Sequence, residues 1–255
     1  MHPILFRLGP LVVHTYGFFI ALGFLAALGL ILREARRLGV DQDRIMDLAF
    51  YMLLAGIVAS RAAYILLNLG EFSQDFLEIF RLWHGGLVFY GGFLGAAAVY
   101  FFFLRRHQMP LWKTADLIAP VIPLGHAFGR LGCFSAGCCY GKVCDLPWAV
   151  TFTNPQGLAP LGVPLHPTQL YEALGNFVLF LIIFYLVRPR KRFDGQVFFT
   201  YTLLYAVMRF FIEFFRGDYR GGYLAGVLSP SQVAALLILA SSAGLLVFLK
   251  KRRPA

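Results

Sequence analysis

The chain has 255 residues, 59% of them apolar and only 14% charged, with a mean hydropathy of +0.69. Water-soluble domains carry about a quarter charged residues and disordered chains have low hydrophobicity, so both classes are excluded. The formal net charge is +10, but the basic residues fall between apolar segments rather than along one face. That placement suits membrane topology and argues against nucleic acid as a partner.

Seven apolar segments follow in chain order, each near the ~20 residues that a bilayer core demands. Leu8 to Leu32 holds no Asp, Glu, Lys or Arg. It lacks a basic leader and a small-residue cleavage site, so it reads as a retained anchor rather than a signal peptide. Ile45 to Asn68 carries Asp47 near one end and Arg61 inside. Leu82 to Leu104 opens on His84, after a stretch from Glu71 that reads as a short amphipathic helix at the interface. Leu111 to Gly129 is short and interrupted by Pro120 and Pro123, which also suits a re-entrant element. Pro167 to Val187, Gly195 to Phe215 and Leu224 to Leu249 complete the set. No linker, repeat or low-complexity segment divides the chain, so residues 1–255 read as one integral membrane domain. Its longest polar connection is 131–164.

Charge sets the orientation. Alternate connections hold Arg33, Arg36, Arg37 and Arg44; then Arg105, Arg106 and Lys113; then Arg188, Arg190, Lys191 and Arg192; then Lys250-Lys251-Arg252-Arg253. The opposite connections hold only Arg7, Arg81, Arg130, Lys142, Arg216 and Arg220. The richer side is cytoplasmic under the positive-inside rule, which predicts an all-α polytopic protein of about seven helices. Its N-terminus lies outside and its C-terminus in the cytoplasm.

An arginine inside a bilayer costs roughly 2.5–3.5 kcal/mol on insertion scales and needs an explanation. Arg61, Arg130 and Arg209 are such residues. Each either snorkels or pairs with a carboxylate, as the i+4 spacing of Arg209 and Glu213 allows, or helps to cradle a lipid phosphate. His84, in His84-Gly85-Gly86-Leu87, is a base candidate or a satisfied interfacial hydrogen-bonder; His14, His126 and His166 have the same two readings. Gly91 and Gly95 form a small-xxx-small pair suited to close helix packing. A buried Glu172 in His166-Pro167-Thr168-Gln169-Leu170-Tyr171-Glu172 needs a cationic or hydrogen-bonding partner.

The four cysteines run Cys133-x4-Cys138-Cys139-x4-Cys144. This is not the CxxC spacing of structural zinc. One or two disulfides, buried thiols, and metal or redox chemistry all remain open.

In order along nearly the whole chain, Tyr16-Gly17, His84-Gly85-Gly86-Leu87, Gly129-Arg130-Leu131-Gly132, His166-Pro167-x-Gln169-Leu170-Tyr171-Glu172 and the stretch Tyr205 to Arg216 resemble the prolipoprotein diacylglyceryl transferase family. The resemblance implies a bacterial inner-membrane transferase with its active site toward the outer leaflet. It passes the sn-1,2-diacylglyceryl group of phosphatidylglycerol to the lipobox cysteine of a prolipoprotein signal peptide, forming a thioether and releasing glycerol phosphate, with neither metal nor organic cofactor. Carried over by motif, Arg130 is similar to the family's phosphatidylglycerol-binding arginine, Arg209 to its second essential arginine and His84 to the histidine that helps deprotonate the thiol. Tyr16, Tyr205 and Glu213 match other catalytic positions, and Gly141 a lipid-binding one. Cys133 and Cys138 stand where the family signature has Asn and Glu; a thiol supplies neither an amide's donors nor a carboxylate's charge. That departure keeps a second expectation in view, a non-catalytic phosphatidylglycerol-binding or lipid-transport protein derived from the enzyme.

Overall fold

The structure is a computed structural model that describes every residue except 1, 10, 73–75, 82–84, 219–221, 223–226 and 252–255. It is overwhelmingly helical. Two compact units form: residues 1–31 with 115–255, and residues 32–114.

The first unit opens on a hairpin, β1 (Ile4–Leu8) with β2 (Leu11–His14), rather than on the helix expected from Leu8 onward. Gly9 sits at φ +58° in its turn, a conformation open to glycine at little cost. The hairpin ends at Thr15, whose N–H and hydroxyl bond to the carbonyls of Pro3 and His2. There α1 (Thr15–Arg37) begins.

In the second unit α2 (Gln42–Leu67) starts at Asp41, whose carboxylate accepts from the N–H groups of Asp43 and Arg44 and so caps the helix. Of the stretch read as an amphipathic helix, the described residues show one turn, α3 (Leu69–Phe72), and a 3₁₀ turn at Phe76–Phe80; 73–75 and 82 lie outside the described residues. Where the third span was expected from Leu82, α4 (Phe89–Arg106) begins seven residues later and ends on Arg105 and Arg106. Gly91, Gly92 and Gly95 of α4 meet Ala55, Gly56, Ala59 and Ala63 of α2 so closely that a Cβ on any of the three would overlap its neighbours. This is the small-residue packing that the Gly91–Gly95 spacing predicts.

α5 (Leu111–Ile118) and α6 (Val121–Ala136) replace the fourth expected span, bent by 42°. Pro120 cannot donate to the helical ladder and marks the break. α6 runs on to Ala136, into what reads as the polar connection. It stops at Gly137, φ +73°, where Gly137 N–H reaches the Phe134 carbonyl and Cys138 N–H the Cys133 carbonyl, the paired bonds of a Schellman stop. The connection to α7 (Thr168–Leu181) folds over a two-residue pair, β3 (Val150–Thr151) and β4 (Pro164–Leu165). Phe152, Ala159 and Leu165 form its small core.

α7 continues through a π turn at Ile182–Val187 to a 3₁₀ turn at Arg188–Arg190. α8 (Gln196–Ile212) and α9 (Pro230–Lys251) pack side by side, joined by the Thr202–Ser242 hydroxyl pair at 2.8 Å. The start of α8 is capped from a distance, since Asp116 of α5 accepts from the N–H groups of Gly195 at 2.7 Å and Phe198 at 2.9 Å. α9 starts on a capping box. Ser229 Oγ accepts from Gln232 N–H while Gln232 Oε1 accepts from Ser229 N–H, with Pro230 at the first helical position.

Among the described residues five helices are long and apolar enough to cross a membrane, six if the bent α5–α6 pair is counted as one span. The burial pattern is that of a membrane protein. Phe89, Phe102 and Leu67 are more than 70% exposed, whereas Thr168, Gln169, Glu172 and Asn176 on α7 are completely buried.

Candidate functional site

The 168–176 run places its polar residues at i, i+1, i+4 and i+8, one face of α7. That face turns inward, and Glu172 sits at its centre with no solvent exposure. Three arginines from three other stretches of chain converge on it. Arg130 Nε of α6 lies 2.6 Å from Glu172 Oε2; Arg216 Nη1 and Arg209 Nη1 lie 3.1 Å and 3.7 Å from Oε1.

Each arginine has a second partner. Arg130 Nε donates to His126 Nε2, one helical turn back, at 3.1 Å. Arg209 Nη2 lies 2.5 Å from Glu213 Oε2 and donates to Ser231 Oγ at 3.3 Å. Arg216 clasps the Asp218 carboxylate with two bonds, at 2.8 and 2.7 Å. Glu213 is held in turn by the hydroxyl of Ser229, the N-cap of α9. For Arg209 the structure shows the carboxylate pairing. It pairs with Glu213 as the spacing predicts, yet its buried Nη1 makes no hydrogen bond among the described residues.

The other expected site residues of this unit lie close by. The Tyr205 ring is 5.5 Å from that of His126 and 5.9 Å from that of Tyr201. Tyr16, at the start of α1, lies against Gly132, where a Cβ would come within 3.0 Å of its ring. Gly141 is a crossing point. It pairs with Arg216 in an isolated antiparallel bridge and donates to the His166 carbonyl at 3.0 Å. A Cβ there would strike His166 and the Phe215 carbonyl. The remaining polar motif residues brace the same crossing: Thr168 Oγ1 and Gln169 Nε2 donate to the carbonyls of Cys139 and Cys138 at 2.8 and 2.7 Å, and Tyr171 Oη meets His166 Nδ1 at 3.2 Å.

Cys133, Cys138 and Cys139 cluster beside these arginines, with Cys144 outside the group. No disulfide joins any of the four cysteines in this structure. Hydrogen bonds from Cys133 and Cys138, together with Arg216, hold the Cys139 thiol below the ordinary thiol range, while the contacts with Cys133 and Cys139 push Cys138 up.

His84 lies outside the described residues. The segment that follows it in the second unit is organised by Arg61, which the sequence leaves between snorkelling, carboxylate pairing and phosphate binding. Among the described residues its hydrogen-bond partners are carbonyls of the main chain. It is buried and donates to four backbone carbonyls: Glu78, Ile79 at 3.2 Å, Gly85 at 2.7 Å and Gly86 at 3.3 Å. Gly86 has φ +73°, and a Cβ there would come within 2.7 Å of Arg61 and Tyr64.

Sequence reasoning passed over Arg216, treated as a loop charge, and the serines that open α9. The Ser229-x-x-Gln232 capping box preceding an apolar run was the available signal for the latter.

A family profile described as prolipoprotein diacylglyceryl transferase matches residues 3–248. The phosphatidylglycerol–prolipoprotein diacylglyceryl transferase of Clostridium tetani is 37% identical over 214 residues, covering 84% of each chain. That of Geobacter sulfurreducens is 40% identical over 215 residues, 83% of this chain and 80% of the relative. That of Finegoldia magna is 32% identical over 252 residues, covering 99% of this chain and 97% of its own. With the match spanning both units and every arginine of the Glu172 cluster, the chain belongs to the prolipoprotein diacylglyceryl transferase family.

Proposed function

We propose that this membrane protein is a transferase that moves the sn-1,2-diacylglyceryl group of phosphatidylglycerol onto the thiol of a prolipoprotein cysteine. The sulfur–carbon bond forms as the glycerol carbon–oxygen bond breaks; the thiol proton goes to a base and glycerol phosphate departs. The acceptor is the lipobox cysteine of a signal peptide. The chain lies in the bacterial inner membrane with seven crossings, α4 among them, and the site faces the outer leaflet.

The convergence of Arg130, Arg209 and Arg216 on Glu172 carries this reading. A phosphodiester arriving from the bilayer finds fixed guanidinium groups in a water-poor interior, one of them with a spare donor at Arg209 Nη1. As the ester bond breaks, the phosphate gains a second negative charge. Preorganised cations stabilise that charge most in the transition state, where the rate gains from it. Arg130 and Arg209 hold the lipid phosphate, and Glu213 fixes Arg209. Tyr205 and Tyr16 position the reacting groups and His84 takes the thiol proton. Gly141 serves by letting the chain cross so tightly that Arg216 reaches Glu172.

The test is transfer in detergent, with acyl-labelled phosphatidylglycerol and a lipobox peptide, read by mass spectrometry as the thioether. Arg209→Ala should lower the rate about 10²–10³-fold, the usual loss on removing one stabilising donor. Arg209→Lys should not restore it, because an ammonium cannot hold a phosphate, Glu213 and Ser231 in one plane. No product from a wild-type preparation that is folded and binds the lipid would overturn the reading in favour of a binding protein.

A further inference from the structure

The spacing Cys133-x4-Cys138-Cys139 matches no common metal motif, yet the chain brings the three sulfurs together. Cys133 and Cys138 flank the Schellman stop of α6, three positions before the last helical residue and two beyond it. Side chains at those two places normally meet in this motif, and Cys138 N–H bonds to the Cys133 carbonyl. Cys139 then takes φ +62°, a left-handed conformation rare for a residue with a side chain. Such backbone costs of order 1–3 kcal/mol and persists where its surroundings impose it. Here Thr168 and Gln169, both completely buried, grip the carbonyls of Cys139 and Cys138. The result is three sulfur atoms within 4.8 Å of one another.

We propose that Cys133, Cys138 and Cys139 form a binding site for one thiophilic d¹⁰ metal ion, Zn²⁺ or Cu⁺, held through three thiolates. A metal–sulfur bond of about 2.3 Å in a tetrahedral or trigonal site sets the sulfurs about 3.8–4.0 Å apart, a separation that small side-chain rotations reach from this starting point. Soft thiolates select these two ions over hard cations. A disulfide would use two of the three sulfurs and leave the third without a role; a metal uses all of them. The charge also suits a thiolate–metal group. Three thiolates with Zn²⁺ carry a net −1, and the Arg216 guanidinium donates to Cys139. All three residues are partly exposed, so an ion can enter. Binding releases the thiol protons to solvent. The site is independent of the transferase reading.

The full chain, purified in detergent with a non-thiol reductant and no chelator, is offered excess Zn²⁺ in one arm and Cu⁺ in the other, desalted, and assayed for bound metal per chain. In at least one arm, one equivalent is expected in the wild type and in Cys144→Ser, falling at least 10-fold in Cys133→Ser, Cys138→Ser and Cys139→Ser. Co²⁺ offered to the wild type alone should give an intense sulfur-to-metal charge-transfer band, which decides the matter even if a variant fails to fold. Failure to retain either ion overturns the proposal. So does equal retention by Cys133→Ser, or a freshly purified chain two mass units light from a disulfide within the trio.

Discussion

At the scale of single residues, Glu172 is the most consequential side chain in the described structure. Removing one partner of a buried ion pair costs about 3–5 kcal/mol, because the other is left charged and unmatched. Glu172→Ala takes a shared, fully buried counter-charge from three guanidinium groups, so it should lower the thermal midpoint in detergent far more than Glu213→Ala, which takes a carboxylate from Arg209 alone. A melting curve for Glu172→Ala within a degree of wild type would contradict this. Arg61 gives a second prediction. Arg61→Lys keeps the charge but cannot reach four carbonyls from one atom, so amide exchange at 78–81 and 85–88 should accelerate, as it should in Arg61→Met. The sequence showed that Arg61 and Glu172 would need partners but not which ones, since the partners of Arg61 are backbone carbonyls in a loop, invisible to residue type.

At the scale of elements, the ends of helices are specified by a few residues. The break at Pro120 and the packing glycines of α4 are local signals, legible in the order of residues alone. The hairpin 4–14 and the late start of α4 are not, because an apolar run reads alike as strand and as helix. Gly95→Leu must force α2 and α4 apart and should cost about 1–3 kcal/mol, the usual overpacking penalty; an unchanged unfolding midpoint would argue against the observed helix contact. The start of α8 carries a pH signature. Lys191 pairs with Asp116 at 2.9 Å and Asp194 at 2.7 Å. Partial burial opposes its charge, but the two carboxylates more than offset this and raise its pKa above 10.5. Its contribution is therefore complete at neutral pH and fades as pH climbs past that value. Lys191→Met should remove that alkaline loss, visible as a flatter stability–pH profile above pH 10.

At the scale of the whole molecule, composition alone identified a membrane-embedded helical protein, and the ordered motifs identified its family. What escaped the sequence was Glu172 as the carboxylate on which the arginines meet, with Arg216 among them. Arg130, Glu172, Arg209 and Arg216 are scattered over 87 positions, and no periodicity joins side chains on different helices. The orientation inferred from charge gives a further expectation: a reporter fused to the C-terminus should be active only in its cytoplasmic form, and activity of the exported form would reverse the topology.

The polar face of α7 also bears on how the protein is made. A carboxylate at Glu172 and an amide at Asn176 burden a helix leaving the translocon for lipid, and Arg130 on α6 is a burden of opposite sign. Because α6 precedes α7, the positive charge is synthesised first and its match one helix later. Arg209 on α8 and Glu213, the residue that caps that helix, follow already spaced to pair with each other. Membrane insertion therefore depends on the same handful of side chains that build the Glu172 cluster.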